Sequence, residues 1–408
     1  MNLATPSPRN ALQAKEHAQW IAFAPFVFQA SRVLRDSGIL AALDATRSAG
    51  LTLEETAERV KLPQYGVRVL LEAGLGIGLV EETGSRYTAT KTARFLLHDP
   101  LTRANMDFSH DVSYRGLFKL DESVREARPA GLAEFGKWST IYQALAHLPE
   151  KVRRSWFAFD HLFSDTAFPS ALPLVLQHRP RRLLDIGGNT GKWAEYCVRN
   201  DPDLQVTIVD LPGQLRDAQL HLQAAGLAGR VSFHEADLLL DDAALPPGFD
   251  AIWMSQFLDC FSEAQIVSIL RRCRQAMAPG ARIFILEPFW DRQRYPVASF
   301  CLQMTSLYFT ALANGTSQMY RSTTFLRCVE KAGFELQEQH DHLGMSHTLL
   351  VCRAAPSASA GDNKSVSITP AAAPSAPANM EIQRRGTRRA SASAGDNSSF
   401  SMTPADRA

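Results

Sequence analysis

The chain has 408 residues, 45% hydrophobic and 21% charged, with a formal net charge of +1. That length has room for two domains with full cores, and the balanced charge excludes a general electrostatic pull toward nucleic acid or an anionic membrane. Six cysteines, at 197, 260, 273, 301, 328 and 352, make no C-x-x-C pair, so reduced thiols in a cytoplasm are expected rather than a metal ribbon or disulfide framework. The N-terminus lacks a basic region followed by an apolar stretch, and the apolar run at 20–30 is too short to span a bilayer; neither a leader nor a membrane anchor is expected.

Residues 1–105 read as a mostly helical domain. "FVFQASRVLRDSGILAAL" places Val27, Ala30, Val33 and Leu34 at helical spacing. Thr52 and Glu55 have the spacing of a capping box, and Leu53, Ala57 and Val60 share a face behind it. After the break at "KLPQ" a second helix carries Val67, Leu70 and Leu71, and two strand-like runs flank "TGSR". Helix, turn, helix, hairpin is the order of a winged helix. A DNA reader should neutralise several phosphates from one face, yet the stretch 64–74 offers Arg68 as its one basic residue. A dimerisation module is the reading adopted, with no nucleic-acid partner; a winged-helix regulator that senses a small molecule is the alternative.

From 106 to 353, "RLLDIG", "QVTIVDL", "VSFHEAD", "FDAIWMS", "RIFILEP" and "HTLLVC" alternate with helical patterns. This is the pattern of a doubly wound α/β sheet, in which ligands sit beyond the carboxyl ends of the strands. Residues 354–408 are polar and repetitive: "SASAGDNKSVSITP" (357–370) returns as "SASAGDNSSFSMTP" (391–404), and a disordered tail is expected.

The loop "LLDIGGNTGKW" (183–193) decides the ligand. A P-loop fails because Ile186 stands at its first glycine and Trp193 at its hydroxyl; the dinucleotide fingerprint G-x-G-x-x-G is also unmatched. S-adenosylmethionine accounts for more. Asp185 at a strand end suits the ligand's amino group, and Gly187 permits close backbone approach. Asp210, 19 residues beyond Gly191, suits ribose hydroxyls. Asp237, expected at the end of the third strand, suits the adenine amino group, with Leu238 against the ring.

"LLDIGGNTG", "VTIVDLPGQ", "EADLL", "FDAIWMSQFLDCFSEAQ", "MAPGARIFILEP" and "VEKAGF" resemble the motifs of class I S-adenosylmethionine-dependent methyltransferases. The closer likeness, over about residues 20–353, is to small-molecule O-methyltransferases with an N-terminal winged-helix dimerisation domain. The resemblance implies a Rossmann-like cofactor domain after a helical one, a homodimer, and a small aromatic or polyketide-like acceptor methylated on oxygen or enolic carbon. It implies cofactor contacts at Asp185, Gly187, Gly188, Asp210, Leu211, Asp237, Leu238 and Ser255. It also implies an apolar pocket built from 154–163 and 300–312.

The family's catalytic histidine corresponds to Asp259 here, Glu287 matches an acid that orients it, and a second acid is replaced by Met319 or Tyr320. Proton transfer from a phenol to an ordinary aspartate is uphill by about 6 pKa units. Asp259 therefore needs strong desolvation to serve as base. In-line positioning alone supplies about 7–11 kcal/mol, so methyl transfer to an acidic or enolic acceptor remains open, as does a cofactor-binding protein without methyl transfer. His110, His161, His342 and His347 are alternative bases by position, and no metal is expected.

Overall fold

The computed structural model describes residues 10–227, 229–240 and 243–356. The sequence repeat and the remainder of the expected tail beyond 356 lie outside the described residues. The first helix, Ala11–Asp36, starts earlier than its apolar pattern, with Asn10 accepting the Gln13 N–H at 2.9 Å. Thr52 and Glu55 close the expected box, each side chain bonding the other's main-chain N–H, at 3.2 and 2.9 Å. Helices Leu53–Val60 and Gln64–Ile77 follow, then an antiparallel hairpin of β1 (Val80–Thr83) and β2 (Arg86–Ala89). Leu34, Ile39, Leu40, Leu43, Val67 and Leu71 form a small core of their own. Each faces inward at helical spacing, so this core follows directly from the pattern.

Residues 91–176 are entirely helical and turn segments, ending in helices Glu150–Asp165 and Phe168–Leu176. Two π-turns, Phe108–Ser113 and Phe309–Ala313, bring Phe108 and Phe309 into the wall of one cavity. Such turns recur at functional sites.

A seven-stranded sheet follows: β3 (Arg182–Ile186), β4 (Gln205–Asp210), β5 (Val231–Glu235), β6 (Phe249–Ser255), β7 (Met277–Glu287), β8 (Phe334–Leu343) and β9 (His347–Ala354). The spatial order is β5-β4-β3-β6-β7-β9-β8, the first five parallel and β9 antiparallel to both neighbours. The doubly wound expectation holds, as a mostly parallel Rossmann-like sheet closed by an antiparallel hairpin. Strand alternation splits the core. Leu184, Ile186, Met254, Ile283 and Ile285 pack on one face; Leu183, Val206, Ile208, Trp253 and Phe284 pack on the other. Because β4 and β6 both pair with β3 and the chain leaves it in opposite directions, a crevice opens at their carboxyl ends.

Three expectations need correction. β8, "FELQEQHDHL", was not expected: it is an edge strand with mostly polar side chains, so no apolar run announces it. β9 runs through Ala354, one residue past the boundary placed at 353, and Ala355 donates to the Gly333 carbonyl at 2.8 Å. Asp237 lies two residues beyond the end of β5, in the following turn.

Among the described residues, 296–313 is the one stretch long and apolar enough to cross a membrane by length and composition. Its Thr305, Tyr308 and Phe309 nevertheless face the cavity described next.

Candidate active site

The cavity opens over the carboxyl ends of β3, β4 and β6. Asp185, next to last in β3, is 2% exposed; its Oδ2 has no hydrogen-bond partner. Burial, reinforced by the charge of Asp210, pushes its carboxyl well above the usual range. An acceptor buried without a donor is costly, so the atom calls for a donor from outside the chain. Thr190 Oγ1, Ser255 Oγ and Tyr142 Oη line the same cavity and are equally unpartnered.

The glycine loop is shaped by close approach. Gly187 has φ 73°, and a Cβ there would lie 2.3 Å from the Phe257 ring. A Cβ on Gly188 would lie 2.8 Å from Asp185 Oδ2 and fill the space before that carboxyl. Asn189, also at positive φ (49°), uses both ends: its main-chain N–H donates to Asp210 Oδ2 at 2.9 Å and its amide to Asp160 Oδ2 at 3.2 Å. Trp193, at the position that disqualified a P-loop, is core, stacked on Trp253 with centroids 3.8 Å apart.

Asp210 ends β4. Its two oxygens accept one main-chain N–H each, from Leu211 (2.7 Å) and Asn189 (2.9 Å), which leaves a lone pair on each. Burial raises its carboxyl to about 6, against the lowering effect of those two bonds. Asp237 Oδ1 caps its own turn through Leu239 N–H (2.9 Å). Leu238 is buried beside it, and Arg272 clamps the turn through the carbonyls of Leu238 and Leu240. Leu211, Asp237, Leu238 and Ser255 all line the cavity. An acid with no donor, an acid with two free lone pairs, an apolar ledge and glycines that leave room fit a ligand carrying an ammonium, a diol and a flat ring, which S-adenosylmethionine has.

On the opposite side Asp259 sits in a single 3₁₀ turn, Leu258–Cys260, and is 4% exposed. Ser262, not Asp259, caps the next helix, in a box with Gln265. The Cys260 thiol donates to Asp259 Oδ1 at 3.3 Å. Burial raises the Asp259 carboxyl to about 7, with Cys260 lowering it and the Asp160 charge raising it further. Glu287, 1% exposed, does not reach the cavity wall. Its Oε1 accepts the main-chain N–H groups of Phe257 (3.1 Å) and Leu258 (2.8 Å), holding the turn that carries Asp259.

Of the four histidines, His161 alone lines the cavity. His347 is fully buried, driven down to about 3 by burial, and bonds Gln256 Oε1 at 2.8 Å. His342 is exposed at φ 65°, and burial lowers His110 on its π-turn. The expected pocket segments divide. Trp156, Phe159, Tyr308 and Phe309 point inward, whereas Phe300, Met304 and Leu307 on helix Pro296–Tyr308 are exposed. Met319 lines the cavity, and Tyr320 is buried, donating to the Phe261 carbonyl at 2.6 Å. Residues overlooked in the sequence are Asp160, Tyr142 and Gln256, which also line the cavity. Asp160 lies 25 residues before Asp185 in a different layer, so no local spacing could have found it. Among the described residues no group of three or more His, Cys, Asp or Glu is disposed to hold a metal.

Residues 164–335 match the model of the O-methyltransferase domain, and residues 15–87 that of the Dimerisation2-like domain. The chain is 30% identical over 277 residues to 3-hydroxy-5-methyl-1-naphthoate 3-O-methyltransferase of Streptomyces sahachiroi, over 67% of this chain and 77% of that protein. It is 27% identical over 266 residues to aclacinomycin 10-hydroxylase RdmB of Streptomyces purpurascens, over 62% of this chain and 68% of that one. Among solved structures, the S-adenosylmethionine-dependent methyltransferase SibL superposes with a TM-score of 0.64 at 26% identity, over 83% of this chain and 98% of that chain. Fold and site thus define a Rossmann-like enzyme whose cofactor is S-adenosylmethionine. The chain belongs to the family of small-molecule O-methyltransferases with an N-terminal dimerisation domain.

Proposed function

We propose that this enzyme methylates the hydroxyl oxygen, or an enolic carbon, of a small aromatic or polyketide-like metabolite, with Asp259 as the proton acceptor. S-adenosylmethionine supplies an electrophilic methyl group on a sulfonium centre. Asp185 Oδ2 holds the cofactor's ammonium, Asp210 its ribose hydroxyls, and Asp237 its adenine amino group. Gly187 and Gly188 leave room for it, and Leu211, Leu238 and Ser255 complete the wall.

The observation that carries the reading is the environment of Asp259. With its carboxyl near 7, the gap to a phenol near 10 shrinks to about 3 units, roughly 4 kcal/mol, half the penalty for an exposed aspartate. Desolvation thus makes a usable base from a residue that is ordinarily too acidic. Glu287 is a positioning residue: by fixing the main chain at 257–258 it sets where Asp259 Oδ2 meets an acceptor hydroxyl. The apolar faces of Phe108, Trp156, Phe159 and Met319 suit a flat ring.

The domain from 1 to about 105 is read as the dimerisation module of a homodimer. Trp20, Ile21, Phe23 and Phe26 are exposed on the first helix, a stripe that favours a protein partner. The second helix of the winged-helix-like unit exposes Tyr65 and Val69, which also suits a protein surface. The six unpaired thiols suit a reducing cytoplasm.

A second reading keeps the cofactor but not methyl transfer. The acid at 259 and the relationship to a protein named as a hydroxylase favour it. Release of S-adenosylhomocysteine across a panel of phenols and 2-oxo acids separates the two. Turnover supports methyl transfer; tight cofactor binding with no turnover on any acceptor overturns it.

A further inference from the structure

We propose that Gln256 donates a hydrogen bond from its side-chain amide to the acceptor oxygen that gives its proton to Asp259, and that His347 is the positioning residue that fixes the direction of that amide. The proposal rests on the methyl-transfer reading for the acceptor and for Asp259 as base, and its test needs no turnover.

Gln256 follows β6 directly, and Ser255, Gln256, Phe257 and Asp259 all line the cavity. Gln256 therefore lies on the stretch of chain that runs from the cofactor wall to the base. Its φ is 45°, in the left-handed region that residues other than glycine seldom adopt. Strain of that kind persists only where the surroundings over-determine the backbone. Here three successive main-chain N–H groups are tied to the end of β7: Gln256 to the Leu286 carbonyl at 3.0 Å, and Phe257 and Leu258 to Glu287 Oε1 at 3.1 and 2.8 Å. The Gln256 side chain is tied as well, to His347 at the start of β9.

His347 sets the polarity of that link. Gln256 Oε1 can only accept, so His347 Nε2 carries the hydrogen across the 2.8 Å contact. Nδ1 is then the bare nitrogen, and it has no partner. The ring is fully buried and stays neutral, so the link does not reverse as pH changes. With its oxygen held, the amide has only N–H groups left to offer, and among the described residues Nε2 has no acceptor. A phenolic oxygen beside Asp259 has one hydrogen and two lone pairs. The hydrogen goes to the carboxylate, one lone pair takes the Gln256 N–H, and the other stays free for the methyl group. As the proton passes to Asp259, negative charge grows on that oxygen. A bond from an N–H to an ionised acceptor is about twice as strong as one to a neutral acceptor. A donor already held in place meets that charge without first having to reorient.

The test is the ionisation of 4-nitrophenol bound to the full chain loaded with S-adenosylhomocysteine, followed by absorbance across a pH series. Gln256→Leu should lower the acid ionisation constant of the bound phenol by about tenfold, as expected for one lost bond to a charged oxygen. Gln256→Glu, which offers acceptors alone once ionised, should lower it at least as far. His347→Phe should lower it by about threefold or more in the parent chain and leave it unchanged in a Gln256→Leu chain, because its influence passes through that amide. Should His347→Phe not fold, the two Gln256 variants decide alone. A purely structural role for either residue would lower the melting temperature without moving the ionisation constant. A constant unchanged or raised in Gln256→Leu, a His347 effect that persists without the amide, or no binding of 4-nitrophenol below about 1 mM would overturn the proposal. The expected changes without methylated product from any acceptor leave it standing and remove methyl transfer; turnover with unmoved constants does the reverse.

Discussion

Glu287 Oε1 accepts the main-chain N–H of Leu258 at 2.8 Å, one residue ahead of Asp259. The end of one strand thereby sets the position of an acid that comes from another. Its Oε2 is buried without a partner, and burial, with the Asp259 charge, pushes the carboxyl well above its ordinary range. A neutral amide should therefore substitute well. Glu287→Gln is expected to keep the fold and most of the turnover. Glu287→Ala leaves two buried N–H groups unpaired and should cost about 2–4 kcal/mol, with a lower kcat at unchanged cofactor affinity. Thermal melts and initial rates on both variants check this.

Asp210 joins the glycine loop to the second strand end through Asn189 and Leu211. Asp210→Ala should lower affinity for S-adenosylhomocysteine by about a hundredfold, the worth of one or two charge-assisted bonds. Titration calorimetry measures it, and an unchanged dissociation constant would refute the assignment of this acid to the cofactor.

Gly187→Ala places a methyl group 2.3 Å from the Phe257 ring at a left-handed φ of 73°. Strain and overpacking together should cost about 2–4 kcal/mol, and the displaced ring should narrow the cavity. Urea midpoints that match the parent protein would show that the loop is more yielding than its contacts imply.

The pH profile follows from the sign of the shift at Asp259. The proton acceptor is the deprotonated form, and the group titrates near 7. Below that pH kcat/KM should fall about tenfold per unit, and above it should level off. Asp259→Asn should lower kcat by about 10²–10⁴-fold and flatten the acid limb. A profile already level at pH 5 would mean that another group, or none, takes the proton.

Phe26 is 70% exposed on the first helix, within the stripe that includes Ile21 and Phe23. Phe26→Asp should shift the protein from dimer to monomer in sedimentation velocity, because a charge facing its own copy across an apolar interface is both desolvated and repelled. A sedimentation coefficient equal to that of the parent protein would count against this face.

The N-terminal helices, the hairpin and all but one of the sheet strands were legible in the sequence because each rests on a local signal: Thr52 with Glu55, the break at "KLPQ", apolar runs ending in an acid. The edge strand β8 carried none. The same contrast holds at the site. Asp185 and Gly187 lie in one short glycine motif, and Asp210 ends the next apolar run, so each carried a local signal. Asp160 and Tyr142 come from helices that precede the sheet, Gln256 follows β6 without a signal of its own, and Glu287 proved to act on the main chain beside Asp259.

From its sequence alone this protein was determined to have a parallel sheet with a glycine turn and acids at its rim, since side-chain period and turn chemistry operate over a few residues. Only the tertiary structure decided how strongly Asp259 is desolvated, which carboxyl stands beside it, and which aromatic residues face inward. Burial and through-space charge depend on groups far apart in the chain, and those are what raise the Asp259 carboxyl to about 7.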